Sequence, residues 1–222
     1  MTQKTDPKEL AANLRKPEGE YGRKVAEMLN NTNRYITGFT YATINPEDGQ
    51  HILEIGFGNG RLMPELLNKA SNIKLTGIDF SMDMVEEGQE ILKEHIDRGD
   101  IELLHASVES LPFGNDTFDA ICTINTLYFW PDPLENAKEI LRVLKPGHRV
   151  FIGIRPKKEA EKIPATKFGF TLYEQQDAID LLEKAGFENV TIKEQSDPPI
   201  EFNGEKHVLK SWVIIGDKPG KE

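Results

Sequence analysis

From residue 51 onward, short apolar runs alternate with helix-length segments, and no other feature restricts the possible folds as strongly. His51–Ile55 is an apolar run that ends in glycines, which reads as a buried strand. Ile73–Ile78, Ile101–His105, Phe118–Thr123 and Val150–Ile154 repeat the pattern, and Val190–Lys193 and Val208–Ile215 end it. Between them Arg61–Lys69 and Met82–His95 read as helices, the second with Met84, Val85, Ile91 and Leu92 as its apolar stripe. Asp132 can cap a further helix, Pro133 suits its first turn and Glu135 completes a capping-box spacing. Lys145-Pro146-Gly147 stops it. Thr171-Leu172-Tyr173-Glu174 is a capping box for a last helix that Gly186 closes. No helix-length segment separates the final two strands, so the last one can return antiparallel. The expected class is α/β, a doubly wound, mostly parallel seven-stranded sheet with an antiparallel C-terminal strand and helices on both faces.

The first 50 residues differ from the rest. They read as helices, with a break at Asn30–Asn33 and a turn at Asn45–Gly49. We expect residues 1–48 to form a helical cap or lid on a domain spanning 49–222, in one domain overall. Their charges balance, so the whole net charge of −10 falls on the remainder. An acidic chain argues against a general nucleic-acid binder. No apolar run reaches the ~20 residues of a membrane helix, and the N-terminus carries no apolar signal core. One cysteine, Cys122, excludes an internal disulfide and a cysteine-cluster zinc site. The histidines are scattered without metal-ligand spacing, so no metal is expected. A cytoplasmic chain, monomeric or homodimeric, fits these traits.

In such sheets ligands sit at the carboxyl ends of strands, near the switch in strand order. The loop after the first strand is Glu54-Ile55-Gly56-Phe57-Gly58-Asn59-Gly60. Alternate glycines permit positive φ and close approach of a ligand to backbone, although a tight strand-to-helix turn would use them equally. A dinucleotide fingerprint wants a third glycine where Arg61 stands. A phosphate loop wants a lysine that is missing here. Glu54 is poor company for a pyrophosphate and suits a ligand bearing an ammonium group.

These residues resemble the first motif of the class I S-adenosylmethionine-dependent methyltransferases, an acidic residue followed by Gly-x-Gly-x-Gly, matched by Glu54, Gly56, Gly58 and Gly60. The resemblance covers most of residues 51–155 and implies a Rossmann-like sheet that binds S-adenosyl-L-methionine and releases S-adenosyl-L-homocysteine. It implies contacts from the loop through Glu54, Gly56, Phe57, Gly58 and Gly60. In Gly77-Ile78-Asp79-Phe80-Ser81 it implies that Asp79 holds the ribose hydroxyls, with Phe80 and Met84 flanking the adenine and Ser81 close by. His105-Ala106-Ser107-Val108-Glu109 resembles the family's stretch after strand three. Ser107 stands where an aspartate commonly bonds the adenine amine, so Ser107, the Val108 backbone or Glu109 could supply that contact. Asn125 would lie beside the methionine moiety, and Tyr128 and Trp130 near the substrate opening. An aromatic face can attract a sulfonium, by roughly 0.5–2 kcal/mol, though Phe129 and Trp130 serve equally well as packing. Leu141 to Gly147 resembles the element before strand five.

The implied reaction is in-line methyl transfer, for which alignment and exclusion of water suffice and a general base is optional. No catalytic dyad is visible. Tyr128, Trp130 and Tyr21 are the candidates nearest the acceptor. Arg15–Arg23 either folds over the cofactor, with Tyr21 and Gly22 near the methionine carboxylate, or caps the surface. Arg155–Phe170 is another candidate wall, but Glu159 and Glu161 offset its lysines and a solvated loop fits it better. Asp197-Pro198-Pro199-Ile200 resembles a motif of nucleic-acid amine methyltransferases at the wrong place in the chain, and reads as a connecting loop. A small-molecule acceptor, with no nucleic-acid or membrane partner, is the expectation. The alternatives are a nucleotide-dependent oxidoreductase on a similar sheet and a cofactor-binding protein without transfer activity.

Overall fold

The computed structural model describes residues 6–202 and 205–220. Three helices precede the sheet: α1 (Pro7–Arg15), α2 (Gly19–Thr32) and α3 (Arg34–Ile44). The strands are β1 (His51–Ile55), β2 (Lys74–Asp79), β3 (Ile101–His105), β4 (Phe118–Ile124), β5 (Leu144–Ile154), β6 (Glu188–Ser196), β7 (Ile200–Phe202), β8 (Glu205–His207) and β9 (Lys210–Asp217). Helices α4 (Pro64–Leu67), α5 (Met82–Ile91), α6 (Lys93–Arg98), α7 (Pro133–Val143), α8 (Lys157–Ala160) and α9 (Gln175–Ala185) connect them.

Seven strands form one sheet in the order β3-β2-β1-β4-β5-β9-β6, and β7 and β8 make a separate hairpin. β9 runs antiparallel to both neighbours, and the other six strands share one direction. Strand order reverses at β1, which pairs with β2 on one side and β4 on the other. The crevice beyond the carboxyl ends of these strands is therefore the expected ligand site.

Side chains alternate across the sheet with period two. Leu53, Ile55, Ile121 and Ile152 pack with Ala137 and Ile140 of α7 and Leu182 of α9. Ile52, Ala120, Cys122 and Phe151 pack with Tyr41 and Ile44 of α3 and Val85 of α5. Both faces are covered, so the apolar runs read in the sequence are buried strands. Glu54 shares the register of Cys122 and so falls on the α3 face.

Several elements depart from the sequence reading. The helix expected over Arg61–Lys69 shrinks to the single turn α4, which opens on Pro64. Proline disfavours helical conformation in the residue before it and lacks the donor a continuing helix would need. The helix expected over Met82–His95 breaks at Leu92, whose side chain is buried under Gly60. α9 begins at Gln175, not at Thr171: the Thr171 amide is held by the Tyr128 carbonyl, and Asp177 accepts from the Glu174 amide. Leu144 already belongs to β5, so Lys145-Pro146-Gly147 lies within that strand's range and does not separate it from the helix. The predicted break near Asn33 is present between α2 and α3.

Candidate active site

A cavity of about 950 Å³ opens over the ends of β1, β2 and β4. Its floor is set by backbone geometry. Gly56 and Gly58 have φ of 75° and 62°, the left-handed region that favours glycine. At Gly58 a side chain would meet nothing within 4 Å, because that position opens on the cavity. At Gly56 it would collide with the Thr126 methyl group. Asn125 also takes positive φ, 58°, which turns the chain sharply after β4 while its amide donates to the Gly153 carbonyl at 2.8 Å.

Two buried carboxylates face this floor. Asp79 ends β2, and its Oδ2 accepts from the Gly58 amide at 2.9 Å. Its Oδ1 accepts from the Ser81 amide at 2.9 Å. Burial raises its pKa to about 6 against the pull of those backbone donors. Glu54, one residue before the end of β1, accepts from the Tyr41 hydroxyl at 2.7 Å. Burial raises it to about 7; the Tyr41 hydrogen bond lowers it and the Asp79 charge adds to the rise. The floor thus offers two desolvated hydrogen-bond acceptors whose ionised forms gain from a donor or a cation.

Phe57, Phe80, Met84, Ser107, Val108 and Glu109 border the same cavity. Ser107 and Glu109 form a small turn, with the Ser107 hydroxyl donating to Glu109 at 3.1 Å. Phe80 is partly exposed, with the Lys16 ammonium 6.0 Å from its ring centre. Gly60 and Ser81 support the site from outside the cavity wall. A side chain at Gly60 would strike Leu92 at 2.7 Å, and the buried Ser81 hydroxyl donates to the Pro17 carbonyl at 2.5 Å. Ser81 is the N-cap residue of α5, but its hydroxyl is spent on this long-range bond.

The roof comes from distant segments. α1 and α2 contribute Leu10, Leu14, Tyr21, Val25, Met28 and Leu29. Gly22 packs on Pro17, where a side chain would meet backbone at 2.6 Å, and it does not reach the cavity. Arg155–Phe170 is a wall after all: Ile163, Ala165 and Phe170 line the cavity, and Ala160, Ala165 and Thr166 are buried. Lys162 of this segment pairs with Glu159 at 2.6 Å.

Tyr128 and Trp130 both line the cavity but are fixed in place. The Tyr128 hydroxyl accepts from the Arg155 amide at 2.5 Å and lies 3.3 Å from both the Arg155 carbonyl and Asn125 Oδ1. Burial drives its pKa far up. Trp130 Nε1 donates to the Thr126 hydroxyl at 3.1 Å. Sequence reasoning missed Arg155 and Asp197. The Arg155 guanidinium forms a buried ion pair with Asp197, bonds Ser211 Oγ at 2.8 Å and reaches the Thr32 carbonyl at 3.5 Å. Asp197 is therefore an anchor beneath the roof, more than a passive connection. Nothing local in the sequence announces a partner 42 residues away. Among the described residues no group of three or more His, Cys, Asp or Glu could hold a metal ion, and no helix is long and apolar enough to cross a membrane.

A switch-point crevice, a positive-φ glycine loop and an acid ending β2 define a Rossmann-like α/β protein with its ligand site at the carboxyl ends of the strands. A family model described as a methyltransferase domain matches residues 52–147. YdaC of Bacillus subtilis, an uncharacterized methyltransferase, is 28% identical over 161 residues, 72% of this chain and 84% of its own. The demethylmenaquinone methyltransferase of Clavibacter sepedonicus is 30% identical over 174 residues, 78% of this chain and 67% of its own. A chain from the solved complex of the Haloferax volcanii Trm112 methyltransferase activator shares the fold with a TM-score of 0.75 at 18% identity, over 97% of this chain and 100% of that one. The chain belongs to the class I S-adenosylmethionine-dependent methyltransferases. Membership implies S-adenosyl-L-methionine as methyl donor.

Proposed function

We propose that this chain transfers the methyl group of S-adenosyl-L-methionine to a small-molecule acceptor, with residues 1–48 acting as a cap over the domain that follows. The observation that carries the reading is the Asp79 carboxylate, buried at the end of β2 and already tied to the amide of Gly58. Its remaining acceptor capacity suits a pair of ribose hydroxyls. The donor set fits an adenosyl cofactor elsewhere too. Glu54 offers a desolvated carboxylate to an ammonium group. Gly56, Phe57 and Gly58 let a ligand lie against backbone, Phe80 and Met84 provide faces for a purine, and Ser107, Val108 and Glu109 offer polar groups to its edge. Asn125 borders the space left for the amino-acid end. Gly60 and Ser81 act from behind, holding the loop and α5 in place. A cavity of about 950 Å³ is at the upper end of small-molecule sites, which leaves room for donor and acceptor together.

The bound sulfonium supplies an activated methyl group. The protein aligns the acceptor and excludes water. Tyr128 and Trp130 are walls in this scheme, because their polar atoms already have partners. Thermal unfolding in the presence of S-adenosyl-L-methionine, S-adenosyl-L-homocysteine, NADH and NADPH tests the reading. A ligand at ~100 times its dissociation constant stabilises by about 2.7 kcal/mol, a shift of a few degrees. We expect that shift from the two adenosyl compounds alone. Stabilisation by a nicotinamide compound alone would point to an oxidoreductase.

A further inference from the structure

We propose that the methyl acceptor is an apolar ring compound whose accepting oxygen ionises unaided near neutral pH: an acidic phenol or enol, or a ring carboxylic acid. This inference rests on the reading above and concerns the other half of the same cavity.

Two features of the roof carry it. The first is its apolar, aromatic surface. Phe129 and Phe170 meet edge to face with ring centres 4.4 Å apart, and Tyr128 lies 5.6 Å from Phe170. Leu14, Met28 and Ile163 line the same cavity. Such a surface favours a flat, poorly hydrated ring. The second feature is the distribution of charge: Arg61 lies with the floor carboxylates, but no carboxylate lines the roof. The carboxylates that line the cavity are Glu54, Asp79 and Glu109, all at the ends of β1 to β3 or in the loops after them. The charged side chains of the roof are cations: Arg15, Lys24, Arg155 and Lys162. Lys24, Arg155 and Lys162 have carboxylate partners outside the cavity, whereas Arg15 has no ion-pair partner among the described residues.

An ammonium-bearing acceptor would find no carboxylate on this roof. On the roof a neutral alcohol would find neither histidine nor carboxylate among the described residues, only the phenols of Tyr21 and Tyr128, the second already hydrogen-bonded; Glu54, Asp79 and Glu109 lie on the opposite, cofactor side. The proposed acceptor sheds its proton to water before it is methylated, and Arg15, the roof cation without an ion-pair partner among the described residues, favours the resulting anion. The oxyanion lone pair then forms the O–C bond as the S–C bond of the donor breaks. The electron pair of that bond stays on sulfur, giving neutral S-adenosyl-L-homocysteine and a methyl ether or ester.

The test uses the full chain saturated with S-adenosyl-L-homocysteine, whose own binding is measured first by calorimetry. Four naphthalene probes of similar size are then titrated: a hydroxynaphthoquinone, a naphthoic acid, a naphthylmethylamine and a naphthyl methanol. We expect at least one oxyanion to bind about tenfold or more tightly than the amine and the alcohol. Preference for the quinone assigns an enol or phenol oxygen, and preference for the acid assigns a carboxylate. Phe170→Ala should weaken that probe about tenfold, and Arg15→Glu by roughly fivefold, with homocysteine-product affinity unchanged in both. Tighter binding of the amine, equal binding of the alcohol, or silence from all four probes would overturn the proposal. Failure of S-adenosyl-L-homocysteine itself to bind would instead overturn the cofactor reading beneath it.

Discussion

The floor and the roof of the cavity are built on opposite principles. The floor is backbone: three strand ends in fixed register, two glycines and an asparagine at positive φ, and two carboxylates held by amides and a phenol. The roof is side chain: apolar residues from α1, α2 and the segment after β5, joined to the rest by a few long-range bonds. Ser81 Oγ donates to the Pro17 carbonyl, the Gly19 amide donates to Asp83 at 2.6 Å, and Arg155 ties β5 to Asp197 and Thr32. A floor made of backbone suits an invariant cofactor. A roof made of side chains can be re-cut for a particular acceptor without disturbing the sheet.

That contrast can be broken most severely at Arg155. Arg155→Met strands the buried Asp197 charge, and removing one partner of a buried pair costs about 3–5 kcal/mol. Chemical denaturation should show that loss, while S-adenosyl-L-homocysteine affinity in the folded fraction stays within about threefold. A large loss of cofactor affinity would mean that floor and roof are not separable.

Gly58→Val attacks the floor instead. It forces a β-branched residue to φ 62° and puts a side chain into the cavity. The strain, of order 1–2 kcal/mol, should lower stability, and cofactor affinity should fall by about 100-fold or more because the side chain takes the ligand's place. Asp79→Ala comes next. It removes a charged acceptor whose hydrogen bonds contribute about 1.5–3 kcal/mol each, so titration should show a loss of roughly tenfold to several hundredfold.

The same carboxylates predict a pH dependence. Both folded-state pKa values are raised, to about 6 for Asp79 and about 7 for Glu54. The stability they contribute without ligand is therefore fully present below their unfolded values, about 4, and is lost as pH rises through 6 and 7. A ligand that bonds their ionised forms has the opposite preference. Its affinity should rise across that window, by at most about tenfold per pH unit for each proton released. A flat profile would remove both carboxylates from the cofactor contact. Ser81→Ala is the mildest change, removing one neutral bond to the roof at a cost of about 0.5–1.5 kcal/mol. Faster hydrogen exchange in Gly19–Thr32, with the strands unchanged, would show that the latch holds the cap.

The contrast also explains what was legible in the sequence. A backbone turn at positive φ has a local signature, so Gly56, Gly58 and the acid ending β2 are visible in the order of the residues themselves. The succession of strands and helices, and the antiparallel return of the last strand, followed from alternation and turn chemistry. The roof has no such signature. Arg155 meets Thr32 from 123 residues away, and no spacing rule connects them. Arg155–Phe170 read as a solvated loop because its lysines and glutamates are what the sequence displays. Ala160, Ala165 and Thr166 are buried beneath them. Gly60 and Ser81 look like ligand contacts in the motif, yet one makes room for Leu92 and the other holds Pro17. Helix limits slipped where tertiary contacts took over, as at Leu92 and at Thr171, whose amide belongs to Tyr128.

A crystal structure of the chain grown with S-adenosyl-L-homocysteine would decide whether Asp79 and the glycine loop hold the cofactor. The ribose hydroxyls should lie within hydrogen-bond reach of Asp79, about 2.5–3.0 Å, with the purine between Phe80 and Met84 and the sulfur facing the Tyr128–Phe129–Phe170 wall. A ligand seated elsewhere, or one that leaves Asp79 bonded to Gly58 and Ser81 alone, would contradict that placement.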